Sequence, residues 1–511
     1  GYGIVKEKKA LGYSVAKRSA KGERNKTADM YYAPEQQPQW NTEEYDGIQE
    51  NIFHDAQRKP LSTFSIDVDA ASYSNVRRYL NNGQQPPKDA VRIEEMVNYF
   101  DYDYQQPIGE DPFSIYTEVA AAPWNTKHKL IHIGLQGKVI PTENLPASNL
   151  VFLIDVSGSM EDPNKLPLLK TSFKMLVEQL REQDRVAIVV YAGAAGLVLP
   201  STSGAEKKKI IAALDELQAG GSTAGGEGIR LAYRIAKENF KANGNNRVIL
   251  ATDGDFNIGE SSNAAMERLI EEKREGGIFL TVLGYGMGNY KDSKMETLAD
   301  KGNGNYAYID NVLEAKKVLV NEFGGTLFTI AKDVKLQIEF NPAKVKAYRL
   351  IGYENRLLRD EDFNDDKKDA GDLGSGHTVT ALYEIIPVGV ESEFYKIDEL
   401  KYQSSKVDAN ASESNEWMTV KFRYKRPDGI TSKLIVQTLK DEKANGKTSD
   451  NFRWSAAVAA FGMRLRDSEY VKSLSYDEII QLAQSARGSD KEGYRIEFIN
   501  LIKSQGLVAS R

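Results

Sequence analysis

The chain has 511 residues, enough for roughly three domains of ordinary size. Apolar residues make up 41% and charged residues 27%, which excludes collagen-like, low-complexity and wholly disordered classes. The absence of cysteine excludes disulfides, thiol nucleophiles and Cys-ligated metal sites, and a net charge of −6 argues against a nucleic-acid partner.

Residues 1–30 hold eight Lys/Arg against three Asp/Glu, so the remainder of the chain carries −11. Residues 31–58 are polar, and 1–58 as a whole reads as an extended or disordered leader. The chain starts without Met and shows no signal peptide, as expected of the interior of a longer or processed protein. Residues 59–111 read as a small α-rich unit. LSTFSIDVD alternates like a strand, and ASYSNVRRYLNNG reads as a helix capped by Ser72 or Ser74 with Val76, Tyr79 and Leu80 on one face. In the next helix, VRIEEMVNYF, residues Ile93, Met96, Val97 and Phe100 point inward. Residues 112–146 contribute two strands joined through Pro123, and His128 and His132 are expected to decorate a strand surface.

From Asn149 the pattern changes to strand–helix alternation. NLVFLIDVS is a near-continuous apolar run, as in a central parallel strand buried on both faces. A helix follows with Leu166, Leu169, Phe173, Leu176, Val177 and Leu180 at 3.6-residue spacing. Val186–Pro200 is the most apolar stretch, but its glycines and terminal Pro200 suit two short strands around a turn, the second an antiparallel edge, better than a membrane span. RVILATDGD and IFLTVLGYG supply further strands, each with a neighbouring helix. This alternation implies an α/β fold with a doubly wound, mostly parallel sheet over 147–328. Residues 329–445 are strand-rich and suggest an antiparallel β-sandwich into which the α/β domain is inserted, or by which it is flanked; 446–511 return to helix.

The chemistry-bearing signal is Asp155-Val-Ser157-Gly-Ser159, directly after a buried strand and before a helix, where open α/β sheets place their ligands. Two more loops close strands of the same sheet: Gly220-Gly221-Ser222-Thr223 and Thr252-Asp253-Gly254. Together they offer two carboxylates and several hydroxyls, the hard oxygens a divalent cation wants. So few formal charges would leave the metal able to accept a further carboxylate from outside. Other signals weigh less. Asp67-Val-Asp69 suits a capped turn, Asp360–Asp372 lacks Ca²⁺-loop order and suits a solvated loop, and neither a phosphate loop nor a G-x-S-x-G elbow is present.

These loops resemble the metal-ion-dependent adhesion site of the von Willebrand factor type A domain. The resemblance implies that Asp155, Ser157, Ser159, Thr223 and Asp253 bind Mg²⁺ or Mn²⁺, with Ca²⁺ less favoured, and that an acidic side chain of another protein completes the coordination. PLSTFSIDVDAASYSNVRRYL, VRIEEMVNYFDYDY, NYKDSKMETLADKGNGNYAYID and HTVTALYEIIP are similar to segments of a bacterial envelope subfamily, extending the likeness over about residues 59–505. GYGIVKEKKALGYSV resembles the segment entering the plug of TonB-dependent receptors. Together these imply an exported protein of a Gram-negative bacterium, in the periplasm or at the outer membrane, with any lipid anchor outside this chain. The expected function is metal-dependent, non-enzymatic protein binding. The alternatives are a metal-assisted hydrolase, which lacks a His near the three loops, and a scaffold whose cation only rigidifies them.

Overall fold

A strand buried on both faces must carry apolar side chains at successive positions, and Leu150–Ile154 does; all eight residues of the strand Ser148–Asp155 are buried. In the computed structural model this strand lies within a six-stranded sheet. The structure describes residues 43–66, 69–192, 194–221, 225–254, 263–288, 290–322, 328–396, 407–427, 429–441 and 447–509. Across the sheet the order is Tyr306–Ile309, Ile278–Tyr285, Asn245–Thr252, Ser148–Asp155, Arg185–Tyr191, Ala195–Ser203. Every pairing is parallel except the last, where the apolar stretch too broken to span a membrane folds back as the antiparallel edge. The helix Leu166–Gln179 buries Leu166, Leu169, Phe173, Leu176 and Val177 on one face of the sheet, and Gly225–Glu238 buries Ile229, Ala232, Tyr233 and Ala236 on the other. The carboxyl ends of three adjacent parallel strands, at Asp155, Tyr191 and Thr252, therefore share one rim.

The rest of the strands form two antiparallel sheets packed face to face. One runs His54–Asp55, Val345–Ile351, Thr378–Pro387, Asn125–Gly137, Phe113–Ala122; the other contains Gly371–Gly374, Thr329–Phe340, Glu416–Lys425 and Ser432–Lys440, with Leu61–Ser65 paired to Thr329–Phe340. Their inner faces share a core that includes Phe64, Ile131, Ile133, Leu336, Ile338, Tyr383 and Phe422. The α/β unit is inserted between Asn125–Gly137 and Thr329–Phe340, strands of opposite sheets of this sandwich.

The helices from the two ends of the chain meet in one cluster. Ala71–Asn81 and Ile93–Asn98 pack with Asp450–Leu465, Tyr476–Ser485 and Tyr494–Ala509 around Tyr73, Met96, Phe100, Trp454, Phe461 and Phe498. Ion pairs tie this cluster to the α/β unit. Arg77, 1% exposed, reaches Asp310 at 2.5 Å, Glu314 at 2.7 Å and Glu497 at 3.0 Å. Arg92 likewise holds Glu95, Asp292 and Glu296.

Three expectations are corrected. Residues 1–42 of the leader lie outside the described residues, but 43–58 are built into the fold. His54–Asp55 pairs with Ala347–Tyr348, Phe53 and Ala56 are buried, and Glu43 pairs with Arg78 at 2.8 Å. The polar composition that suggested disorder is used in ion pairing. Neither Ser72 nor Ser74 caps Ala71–Asn81. Ser72 lies inside the helix, its hydroxyl donating to the Ala90 carbonyl and accepting from the Arg92 amide, both at 2.8 Å. His128 and His132 lie on a strand but not on a surface, because Asp450–Leu465 and the chain around Ser392 cover that face. In the acidic loop, Asp362 and Phe363 are buried; Asp67 lies outside the described residues, and Asp69 accepts from the Tyr306 amide at 2.9 Å.

Candidate metal centre

Asp155 is the last residue of the central strand, and its carboxylate is completely buried. One oxygen accepts from the Ser157 amide at 2.9 Å. The other accepts from the Tyr191 hydroxyl at 3.1 Å and the Thr252 hydroxyl at 3.0 Å, groups carried by the two neighbouring parallel strands. The turn beyond it folds so that the hydroxyls of Ser157 and Ser159 lie 3.1 Å apart. The Gly158 amide donates to the Gly221 carbonyl at 3.0 Å and the Gly220 amide to the Val156 carbonyl at 2.8 Å. These two bonds stitch the loop that leads to Thr223 onto the Asp155 turn, and Gly221 takes φ +85°, a conformation that strongly favours glycine. Thr223 itself lies outside the described residues.

Asp253, also completely buried, follows Thr252 on the adjacent strand end. Burial raises the Asp155 carboxyl above its usual range, and the charge of Asp253 pushes it in the same direction, against hydrogen bonds from Ser157 and Thr252. Four of the five sequence-predicted residues are thus placed at one rim, three of them on a single turn.

A residue absent from the sequence reading also occupies this rim. Lys165, 5% exposed, donates from Nζ to Asp253 Oδ2 at 3.0 Å. Its stem crosses Gly286, where a Cβ would sit 2.5 Å from Lys165 Cε. Nothing in local spacing signals this contact, since the partners are 88 residues apart. Thr252 was already visible in the loop that carries Asp253, whereas Tyr191, the strand-terminal residue beside Asp155, was legible only as part of an apolar strand.

The donor set suits a hard dication. The partners of Asp155 among the described residues are neutral, and Lys165 offsets one carboxylate only. Two buried carboxylates, Asp155 and the Lys165-paired Asp253, lie with the Ser157 and Ser159 hydroxyls at this rim. The described residues at this rim are hard oxygen donors of the kind a divalent cation takes.

A doubly wound sheet with this turn at its carboxyl rim defines a von Willebrand factor type A protein. The family described as "von Willebrand factor type A domain" matches residues 149–321, "von Willebrand factor" matches 39–132, and "Uncharacterized protein YfbK, C-terminal" matches 325–507. The "Uncharacterized protein YfbK" of Escherichia coli (strain K12) is 47% identical over 472 residues, covering 90% of this chain and 81% of its own length. The chain belongs to the YfbK family of von Willebrand factor type A proteins. "Uncharacterized protein sll0103" of Synechocystis is 26% identical over 38% of this chain and 45% of its own. Among solved structures, "von Willebrand factor type A from Catenulispora acidiphila" aligns at 17% identity over 76% of this chain and 89% of its own, with a TM-score of 0.40.

Proposed function

We propose that this protein is a metal-dependent protein-binding module of the bacterial cell envelope. In this reading Asp155, Ser157, Ser159, Thr223 and Asp253 hold Mg²⁺ or Mn²⁺. The observation that carries it is the pair of buried carboxylates, Asp155 and Asp253, at the rim that also holds the Ser157 and Ser159 hydroxyls. Bound there, the cation supplies a positive corner that accepts a carboxylate oxygen from a partner protein. The chain's own residues do the positioning. Tyr191 and Thr252 fix the Asp155 carboxylate, and the Gly158–Gly221 bond sets the loop before Thr223. Lys165 moderates the negative charge of Asp253.

Residues 147–328 act as the binding domain, presented by the sandwich of 112–146 and 329–445 and braced by 59–111 and 446–511. The likeness of residues 1–15 to receptor plug-entry segments supports an envelope location. Among the described residues no helix is long and apolar enough to cross a membrane. Capture of a partner from envelope extract by the immobilised full chain in Mg²⁺ should disappear with EDTA and in Asp155→Ala. Capture that survives both refutes the reading.

A further inference from the structure

Outside the metal centre, one cluster of side chains has the connectivity of an activated nucleophile. His128 projects from the strand Asn125–Gly137, and Glu384 from the neighbouring strand Thr378–Pro387. Ser392 lies in the segment just beyond that second strand. The imidazole bridges the other two: Nδ1 lies 2.6 Å from Glu384 Oε1 and Nε2 lies 3.0 Å from Ser392 Oγ. Glu384 also accepts from Arg349 at 2.7 Å. Burial of Glu384 opposes its ionisation, but Arg349 and His128 outweigh it and hold the carboxyl below its usual range.

A neutral imidazole with its proton on Nδ1 satisfies every atom. Nδ1–H donates to the Glu384 carboxylate, and Nε2 accepts from the Ser392 hydroxyl. The hydroxyl in turn accepts from the Phe394 amide at 3.3 Å. Phe53 and Phe394 stand edge-on to the imidazole ring, with centroids 5.7 and 6.3 Å away, and restrict its rotation. Glu384 orients the base and the base contacts the hydroxyl, the order of roles that activates a serine.

The surroundings of Ser392 differ from those of a hydroxyl that merely satisfies a core histidine. His128 and Glu384 are completely buried, whereas Ser392 keeps 9% exposure and forms part of the wall of a cavity of about 810 Å³. That size falls in the range of small-molecule sites. Trp124, Phe394 and Tyr470 supply aromatic surface there. Trp124, which lines the same cavity, keeps its Nε1 buried and without a hydrogen-bond partner among the described residues. Three carboxylates, Glu391, Glu393 and Glu469, and two lysines, Lys127 and Lys472, line the cavity, a balance that does not favour anions.

We propose that Ser392, His128 and Glu384 form a hydrolytic site for small neutral carboxylic esters, distinct from the metal centre and independent of a cation. Ser392 Oγ forms a bond to the acyl carbon as its proton passes to His128 Nε2, and the carbonyl π pair moves onto oxygen. Collapse of this adduct breaks the ester C–O bond, and the departing alcohol takes the proton from His128. A water molecule, deprotonated by His128, then attacks the acyl-Ser392 ester, releasing the acid and restoring the serine. Glu384 and Arg349 are positioning residues.

The test uses the full chain with EDTA present throughout. A fluorophosphonate should add once per chain, at Ser392 by peptide mapping, and p-nitrophenyl acetate hydrolysis should fall at least 100-fold in Ser392→Ala. Glu384→Gln should slow labelling at least tenfold while Ser392 remains the mapped site. Peptide mapping of the unmutated chain needs no variant to fold. No adduct under conditions that label a standard serine hydrolase completely, an adduct elsewhere, or unchanged hydrolysis in Ser392→Ala overturns the proposal. Because every arm excludes divalent metal, these outcomes are separate from the fate of the metal-centre reading.

Discussion

Acidification should weaken the fold in part through the buried imidazole of His132. His132 is completely buried between Tyr104, whose hydroxyl lies 2.6 Å from Nε2, and Ser455, whose hydroxyl lies 2.9 Å from Nδ1. The Ser455 hydroxyl donates onward to the Phe452 carbonyl, so it accepts from Nδ1–H, and Tyr104 donates to Nε2: a complete set for the neutral ring. Burial lowers the His132 pKa from 6.5 to about 3. An imidazole whose pKa is lowered by folding leaves stability intact above the unfolded value. Stability is lost as pH falls below 6.5, because the unfolded chain then binds a proton that the native one refuses, and the loss levels off near the folded value of about 3.

At about pH 5 the resulting loss is about 2 kcal/mol. Denaturant unfolding of the unmutated chain and of His132→Gln, compared at about pH 7.5 and about pH 5, isolates this contribution, since other groups cancel in the difference. The stability advantage of the unmutated chain should shrink by about 2 kcal/mol on acidification. The chain has four histidines, so the imidazole resonances are few enough to assign, and that of His132 should not titrate above about pH 4. A pH-independent difference, or a His132 resonance titrating near 6.5, would refute the reasoning.

Other substitutions probe the rim and the internal struts. Lys165→Met removes the ammonium beside Asp253 and should raise Mg²⁺ affinity by about tenfold or more, read by calorimetry, because a positive charge no longer opposes the dication. The same variant without metal should unfold more easily, as a buried carboxylate loses an ion-pair partner. Arg77→Met leaves Asp310 and Glu314 without their shared guanidinium and should cost about 3–5 kcal/mol in denaturant unfolding. A loss under about 1 kcal/mol would show that this network does not brace the helical cluster on the α/β unit.

The α/β unit was legible because its signals are local: buried strands read as apolar runs, helices as 3.6-residue stripes, and the Asp155 turn as oxygen donors between them. The glycines of the apolar stretch rightly argued for two strands with an antiparallel edge, although Gly196 lies inside the second strand, Ala195–Ser203, opposite Val190. What escaped notice depends on contacts across long stretches of chain. Lys165 reaches Asp253 over 88 residues, and His128 meets Ser392 over 264. Alternation places His128 and His132 on one face of a strand, but only the docking of Asp450–Leu465 and of the chain around Ser392 makes that face interior. The polar segment 43–58 misled for a related reason. Its charge has partners, such as Arg78 for Glu43, in elements that composition does not reveal.

The claim on which the functional account rests is that Asp155 and its neighbours hold a dication. Isothermal titration of Mg²⁺ into metal-stripped protein addresses it most directly, with Asp155→Ala as the paired sample and circular dichroism to check the fold. One saturable site in the unmutated chain, absent from a folded Asp155→Ala, is the predicted result. No binding in the unmutated chain, or equal binding in both, would contradict the account.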